Sequence, residues 1–181
     1  MDPIVIAVSL SETHSFSKTN QPAIQLIEDL GVDGDAHSGK MIKHRYLVNK
    51  DAAKPNIRQV HLIHAELLDL LEGKGFTVHP GQLGENITTR GIDLLGLPTG
   101  TIVKIGLETL VQLTALRNPC KQIDEFQKGL LKEVLYKDDE GNLIRETGVM
   151  GIVLKSGMVR PGDSIQIEIP LEPHQKLEYV W

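Results

Sequence analysis

The sequence predicts a mainly β fold with a few helices, arranged as a closed or partly closed β-barrel. Short apolar runs alternate with glycine and proline turns along most of the 181 residues, a pattern typical of small barrels. Residues 97–105 and 159–167 share one motif, in which a proline and a turn glycine lead into an alternating strand. Barrel closure is favoured because it removes unpaired strand edges.

The predicted strands are rich in β-branched residues or alternate apolar with polar residues: Ile4 to Leu10, Ala23 to Leu30, Gln59 to His64, Leu110 to Thr114 and Val149 to Lys155, besides the strands that follow the two turns. One helix is predicted from Ala65 to Glu72, with Gly73 and Gly75 able to end it, and another from Cys120 to Leu135. Ser11 to Thr19 and Ala36 to Pro55 are predicted loops.

Composition predicts one domain, residues 1–181, of an ordinary soluble protein. A net charge of -5 argues against a broad nucleic-acid surface. The aromatic content of 4% leaves leucine, isoleucine and valine to build the core. One cysteine forms no internal disulfide, the N-terminus lacks a basic signal region, and the first apolar run is too short to span a membrane. We therefore expect a cytoplasmic protein without a membrane partner.

Cys120 is the first candidate for chemistry. It lies in the run 116–122, Leu-Arg-Asn-Pro-Cys-Lys-Gln, between the cations Arg117 and Lys121 and before a predicted helix. Cations and a helix N-terminus both favour the thiolate, which is the form that binds metals and attacks electrophiles. The alternative is an inert cysteine packed as a small apolar residue.

A second candidate cluster lies in the run 33–39, Asp-Gly-Asp-Ala-His-Ser-Gly. In an extended segment Asp35 and His37 point to the same side, so the carboxylate can fix the imidazole tautomer. The loop that follows carries Lys40, Lys43, His44 and Arg45, which suit a phosphate group. The alternatives are an exposed Asp-Gly turn and a solvated basic face. His61 and His64 are predicted on opposite sides of a strand, so a shared metal site is not expected.

Three stretches in order, Gly34 to His37, Pro80 to Asn86 and Arg117 to Cys120, resemble the MOSC family, named for the C-terminal domain of molybdenum cofactor sulfurase. The stretches 148–151 and 160–163 are similar to that family's closing strands, so the resemblance covers residues 4–169. It implies a stand-alone member with a β-barrel fold related to the small barrel domain of pyruvate kinase.

The resemblance also implies a site. Cys120 would be the catalytic residue, as a molybdenum ligand or a persulfide carrier. The cofactor-binding residues would be Gly34, Asp35, His37, Arg45, Arg58, Asn86, Arg117 and Lys121. Among these, the arginines and His37 would contact phosphate or oxygen atoms of the molybdenum cofactor (molybdopterin), and Asn86 would contact the pterin edge.

Three hypotheses remain open from the sequence. The first is a molybdenum-dependent oxidoreductase that reduces N-hydroxylated bases or similar small molecules, as the mitochondrial amidoxime-reducing component does. The second is a sulfur carrier that holds a persulfide on Cys120. The third is a non-catalytic binding barrel. Because the chain is too short for a fused desulfurase or an added redox segment, we expect a separate electron donor or cysteine desulfurase as partner.

Overall fold

A computed structural model describes residues 2–41 and 55–179 of the chain. The strands are β1 (Ile4–Leu10), β2 (Thr19–Gln21), β3 (Ile24–Ile27), β4 (Gly31–Val32), β5 (Val60–His64), β6 (Ile87–Arg90), β7 (Ile102–Ile105), β8 (Thr109–Leu116), β9 (Leu135–Lys137), β10 (Leu143–Arg145), β11 (Val149–Lys155), β12 (Gly157–Val159) and β13 (Ile165–Glu168). The helices are α1 (Ala65–Gly73), α2 (Gln122–Phe126) and α3 (Leu131–Val134). The fold of these residues is mainly β with few helices, as the sequence predicts. None of the three described helices is long and apolar enough to cross a membrane.

Eight strands form the main sheet, in the order β13-β7-β8-β11-β5-β6-β1-β2. The two turn-led segments that look alike in sequence pair with each other, since β13 and β7 are antiparallel neighbours. Strands β5 and β6 are parallel and are joined by a crossover that contains α1. A three-stranded sheet, β12-β3-β4, and the β9-β10 hairpin complete the described sheets.

The predicted closure of the barrel is not found as a continuous ladder among the described strands, because the eight-strand order is open. One isolated bridge, between Ile4 and Ser164, joins β1 to the residue before β13. Three backbone hydrogen bonds surround it: Val5 N donates to Asp163 O at 2.9 Å, Gly162 N donates to Val5 O at 2.8 Å, and Ile165 N donates to Pro3 O at 2.9 Å. Among the described residues, backbone hydrogen bonds between β1 and the start of β13 are thus limited to residues 3–5 and 162–165.

Register partners form a row across five strands of the main sheet. The row contains Leu116, Val149, Leu62, Ile87 and Val8. These five side chains range from partly to fully buried and belong to the larger core cluster or pack against it. Because packing of the core fixes this register, it also fixes the positions of the polar residues next to the row in sequence.

A second core cluster lies under α1. Ile63 from β5 and Leu71 from α1 pack there with Ile123, Leu130 and Val134, all 0% exposed. The segment after Cys120 is therefore held by apolar burial, which is worth about 1.5–3 kcal/mol for each large side chain. This anchoring fixes the loop that carries the cysteine.

Two predicted elements are shorter in the structure. The single helix predicted from Cys120 to Leu135 is wrong: it is two short helices, because Gln127 is extended at φ -147° and Gly129 has φ 87°. The strand predicted from Ala23 to Leu30 ends at Ile27, because Asp29 adopts φ 60° in a turn.

Candidate functional site

Cys120 lies in a loop between the end of β8 and the first residue of α2. Its residue is partly exposed, while the preceding Pro119 is buried. The Sγ atom lies 3.5 Å from Oε1 of Gln122. Since α2 begins two residues later and has only five residues, its dipole contributes less than the long predicted helix would. The thiol is reachable from solvent and is not sealed within the core.

Arg117 supplies a positive charge three residues before the cysteine. Its backbone N donates to Gly148 O at 3.0 Å, which ties the loop to the start of β11. Its guanidinium approaches Thr147 Oγ1 at 3.4 Å and Leu83 O at 3.5 Å. Burial lowers the pKa of Arg117 to about 10, against an opposing electrostatic contribution from Cys120. The Arg117 side chain is therefore still a cation at neutral pH.

Two further arginines approach the same loop. Arg58 and Arg145 lie on the ring of Tyr179, with guanidinium carbons 6.0 Å and 5.4 Å from the ring centroid. Arg145 Nε donates to Oδ1 of Asn118 at 3.0 Å, two residues before Cys120. Burial lowers the pKa of Arg58, and the nearby Arg58 charge in turn lowers that of Arg117. The cysteine is thus accompanied by three cationic side chains.

Asp35 is the centre of a buried polar cluster. Its side chain is 2% exposed, and its Oδ2 accepts from Lys18 Nζ at 2.7 Å and from Asn86 Nδ2 at 3.0 Å. Its Oδ1 accepts from the His37 backbone at 2.9 Å and lies 3.2 Å from His37 Nδ1. Burial alone would raise the pKa of Asp35, but the hydrogen bonds from His37 and the charge of Lys18 outweigh it and hold that pKa below its ordinary value. The predicted pairing of Asp35 with His37 is confirmed by these distances.

Asn86 connects this cluster to the sheet. Its Oδ1 accepts from the His61 backbone N at 3.2 Å, and its Nδ2 donates to Ser9 O at 3.1 Å as well as to Asp35. His61 is buried, and its Nε2 lies 2.7 Å from Thr147 O. Because a carbonyl only accepts, Nε2 carries the proton there. Burial, helped by the charge of Arg117, lowers the pKa of His61 to about 3, so the ring is neutral at pH 7.

Glu85, directly before Asn86 in the sequence, is 0% exposed. Its Oε1 accepts from Gly81 N at 2.5 Å and from Thr88 Oγ1 at 3.1 Å. Its Oε2 has no hydrogen-bond partner among the described residues. Burial raises the pKa of Glu85, while its charge acts on both Lys18 and Arg117. An unsatisfied polar oxygen is thus left inside the site.

The structure brings together most, but not all, of the predicted site residues. Lys121 points away: its side chain is 87% exposed and lies 3.7 Å from Glu125. Asn86 is 3% exposed and uses both ends of its amide within the protein, so its contact with a pterin stays a prediction. Gly34 has φ 76°, a backbone conformation that favours glycine, in the turn before Asp35. Arg45 lies outside the described residues.

Five residues of the site were not among the predicted ones: Lys18, His61 as a buried neutral imidazole, Glu85, Arg145 and Tyr179. Glu85 lies inside the motif 80–86, and its position as the only charged residue of that glycine-containing run was an available signal. Lys18 is the only lysine or arginine between Ser11 and Thr19. Nothing in the local sequence around Tyr179 indicates that it approaches the cysteine.

The donor set suits a molybdenum cofactor. A thiolate is a soft ligand for molybdenum, and three guanidinium groups suit the anionic oxygens of the cofactor. The unpartnered Oε2 of Glu85 is a buried polar atom that a hydrogen-bonding ligand or a water molecule would satisfy. Within residues 2–41 and 55–179, no three histidine, cysteine or acidic side chains gather as a metal site. Cys120, the only cysteine in the sequence, is therefore the residue that would supply a soft ligand to the metal.

Fold and site together define a mainly β domain that presents a partly exposed thiol among arginines. The MOSC domain model matches residues 33–166, which is most of the chain and includes Asp35, Asn86 and Cys120. The chain belongs to the MOSC family, and the family resemblance found in the sequence is confirmed. Comparison with curated proteins gives no match.

Solved structures support the fold. YuaD protein from Bacillus subtilis is 20% identical with a TM-score of 0.75, over 94% of this chain and 98% of that one. YiiM from Geobacillus stearothermophilus is 19% identical with a TM-score of 0.62, over 91% and 73%. YiiM from Escherichia coli is 18% identical with a TM-score of 0.62, over 97% and 73%. At these identities the likeness concerns the fold alone.

Proposed function

We propose that this MOSC protein binds the molybdenum cofactor through Cys120 and reduces N-hydroxylated bases or similar small molecules. The observation that carries the proposal is the convergence of Arg117, Arg58 and Arg145 on the loop of the only cysteine. Family membership supports the choice of cofactor. When bound, the cofactor supplies two-electron reduction coupled to oxygen transfer.

In this proposal, residues of the chain bind the cofactor and orient one another around it. Cys120 would hold the metal as a thiolate, while Arg117 and Arg58 would bind anionic oxygen atoms of the cofactor. The Lys18–Asp35 pair, at 2.7 Å, orients His37 through Asp35 and keeps two buried charges matched. His61, neutral and hydrogen-bonded to Thr147, adds no further charge beside Arg117.

The overall reaction balances with a separate electron donor. The N–O bond of the substrate breaks, two electrons and two protons are taken up, and an amine and one water molecule form. The donor of the electrons would be another protein. The substrate would be a small molecule that reaches the partly exposed Cys120.

Metal content tests the proposal. Protein made in cells that synthesise the cofactor should carry molybdenum, and Cys120→Ser should lose it while keeping the far-UV circular dichroism of the wild type. Gln122→Ala is the matched control, since it removes the Sγ neighbour but no metal ligand. Wild-type protein that holds no molybdenum, and gains none on reconstitution with the cofactor, would refute this function.

A persulfide carrier is the second candidate, and the partial exposure of Cys120 favours it. An accessible thiol beside Arg117 can accept sulfur from a desulfurase, and the cation would stabilise the persulfide anion. Cyanide would then release sulfur as thiocyanate from the wild type but not from Cys120→Ser. A protein with neither molybdenum nor cyanide-labile sulfur would leave the binding barrel as the function.

A further inference from the structure

The segment after β13 returns to the cysteine site. Thr99 N donates to Gln175 O at 2.8 Å, and Leu116 N donates to Glu178 O at 2.9 Å. Leu177 between them is 6% exposed and joins the main core. Because Leu116 ends β8 and directly precedes Arg117, these bonds place Tyr179 beside the loop that carries Cys120.

The ring of Tyr179 contacts two guanidinium groups at once. Arg58 lies 6.0 Å and Arg145 lies 5.4 Å from the ring centroid, both within the range of a cation–π contact. A side-chain hydrogen bond with Tyr179 also stabilises the charged form of Arg58. Arg145 is held a second time, by Oδ1 of Asn118 at 3.0 Å. The tyrosine therefore fixes both cations relative to the loop.

This arrangement gathers three like charges, and buried Glu85 is an acid whose charge acts on one of them, Arg117. Among the described residues, the ion pairs within 4.0 Å do not include Arg58, Arg117 or Arg145. Arg58 and Arg117 repel each other in partly buried surroundings. Such a cluster is costly unless something holds it, and it is the typical design of a site for an oxyanion.

We propose that Tyr179 is a positioning residue that holds Arg58 and Arg145 beside Cys120 and thereby makes the cysteine site selective for ligands that carry a phosphate or carboxylate group. This inference deepens the proposed function and rests on it in one respect, that Cys120 is the reacting atom. The selectivity itself is a property of the cofactor-free protein and needs no metal.

Alkylation of Cys120 measures this selectivity directly. Iodoacetate is an anion and iodoacetamide is neutral, and the chain has no other cysteine to react. We expect the ratio of the two rate constants, iodoacetate over iodoacetamide, to be about tenfold higher for the wild type than for N-acetylcysteine at low salt. Inorganic phosphate should slow the iodoacetate reaction, while chloride at equal ionic strength should slow it less.

Variants of Tyr179 distinguish a positioning role from a purely structural one. Tyr179→Ala should lower the rate ratio about three- to tenfold, and Tyr179→Phe, which keeps the ring, should retain most of it. If the tyrosine acts through Arg145, the double variant with Arg145→Gln should lose less than the sum of the two single losses. Leu171→Ala is the control, since it lies in the same segment with its side chain 94% exposed.

An unchanged ratio in Tyr179→Ala would overturn the inference, as would additive losses in the double variant. A wild-type ratio equal to that of N-acetylcysteine, or a Cys120 that reacts with neither reagent, would also overturn it. The proposed function fails separately, through absent molybdenum, because the alkylation rates are measured on the cofactor-free chain.

Discussion

Buried His61 should make the stability of this protein depend on pH in a defined way. The imidazole is 5% exposed and donates to Thr147 O, and burial lowers its pKa from 6.5 to about 3. In the unfolded chain the ring gains a proton as the pH falls below 6.5, whereas the folded chain withholds it down to about pH 3. The stabilisation from neutral His61 is therefore complete above pH 6.5 and is lost as the pH falls toward 3.

The magnitude follows from the two pKa values. At pH 5, which is about 1.5 pH units below the unfolded value, the loss is ~2 kcal/mol at 1.36 kcal/mol per unit. It approaches ~5 kcal/mol near pH 3. Glu85 acts in the opposite direction, because its raised pKa makes the folded state bind a proton more tightly between pH 4.5 and that raised value. The pH dependence of the free energy of unfolding therefore contains contributions from both His61 and Glu85.

Comparing the wild type with a His61 variant separates the contribution of His61 to the pH dependence from that of Glu85. We would measure urea unfolding of the wild type and His61→Gln by circular dichroism at pH 7 and pH 5. The glutamine keeps a donor for Thr147 O but does not titrate, so its cost in free energy of unfolding should be ~2 kcal/mol smaller at pH 5 than at pH 7. A His61→Gln cost equal at both pH values would refute the reasoning.

Two further substitutions test the framework of the site. Gly148→Ala should lower the free energy of unfolding by ~3 kcal/mol or more, because a Cβ there would overlap the carbonyl of Leu62 at φ 82°. Gly162→Ala, at φ 91° in open space, should cost only ~1 kcal/mol in the same urea titration, and equal costs would contradict the steric argument. Asp35→Asn should cost ~3–5 kcal/mol, because it leaves the Lys18 ammonium buried without its counter-charge. Adding Lys18→Met should restore part of that loss, and a double variant no more stable than Asp35→Asn would show that the charge pair is not the cause.

Much of the fold could be predicted because its strands carry their own local signals. The alternation in Ile4–Leu10 and the apolar run in Val149–Lys155 place β1 and β11 with correct bounds. Helix α1 begins and ends where the leucine spacing and glycines indicate. The segment after Cys120 was mispredicted, because its apolar side chains suit one helix while Gly129 at φ 87° breaks it. Burial of Ile123, Leu130 and Val134 against α1 stabilises the broken form.

The candidate site was predicted in part for the same reason. Cys120, Arg117, Asp35 and His37 stand in short motifs whose residue types indicate their chemistry. Lys121 was assigned from adjacency alone, but its side chain points toward Glu125 on the exposed face of α2. Adjacency in sequence does not fix direction at the start of a helix, where successive side chains diverge by about 100°.

The sequence by itself determined the mainly β fold, the family and the single thiol, because these depend on local periodicity, motif order and composition. Only the tertiary structure decided which charges surround that thiol. Arg117, Arg145 and Tyr179 come from three distant parts of the chain, and β-sheet register with a backbone hydrogen bond from Leu116 to Glu178 brings them together. Long-range pairing of this kind leaves no local pattern in the sequence, because these residues come into contact only after the core has packed.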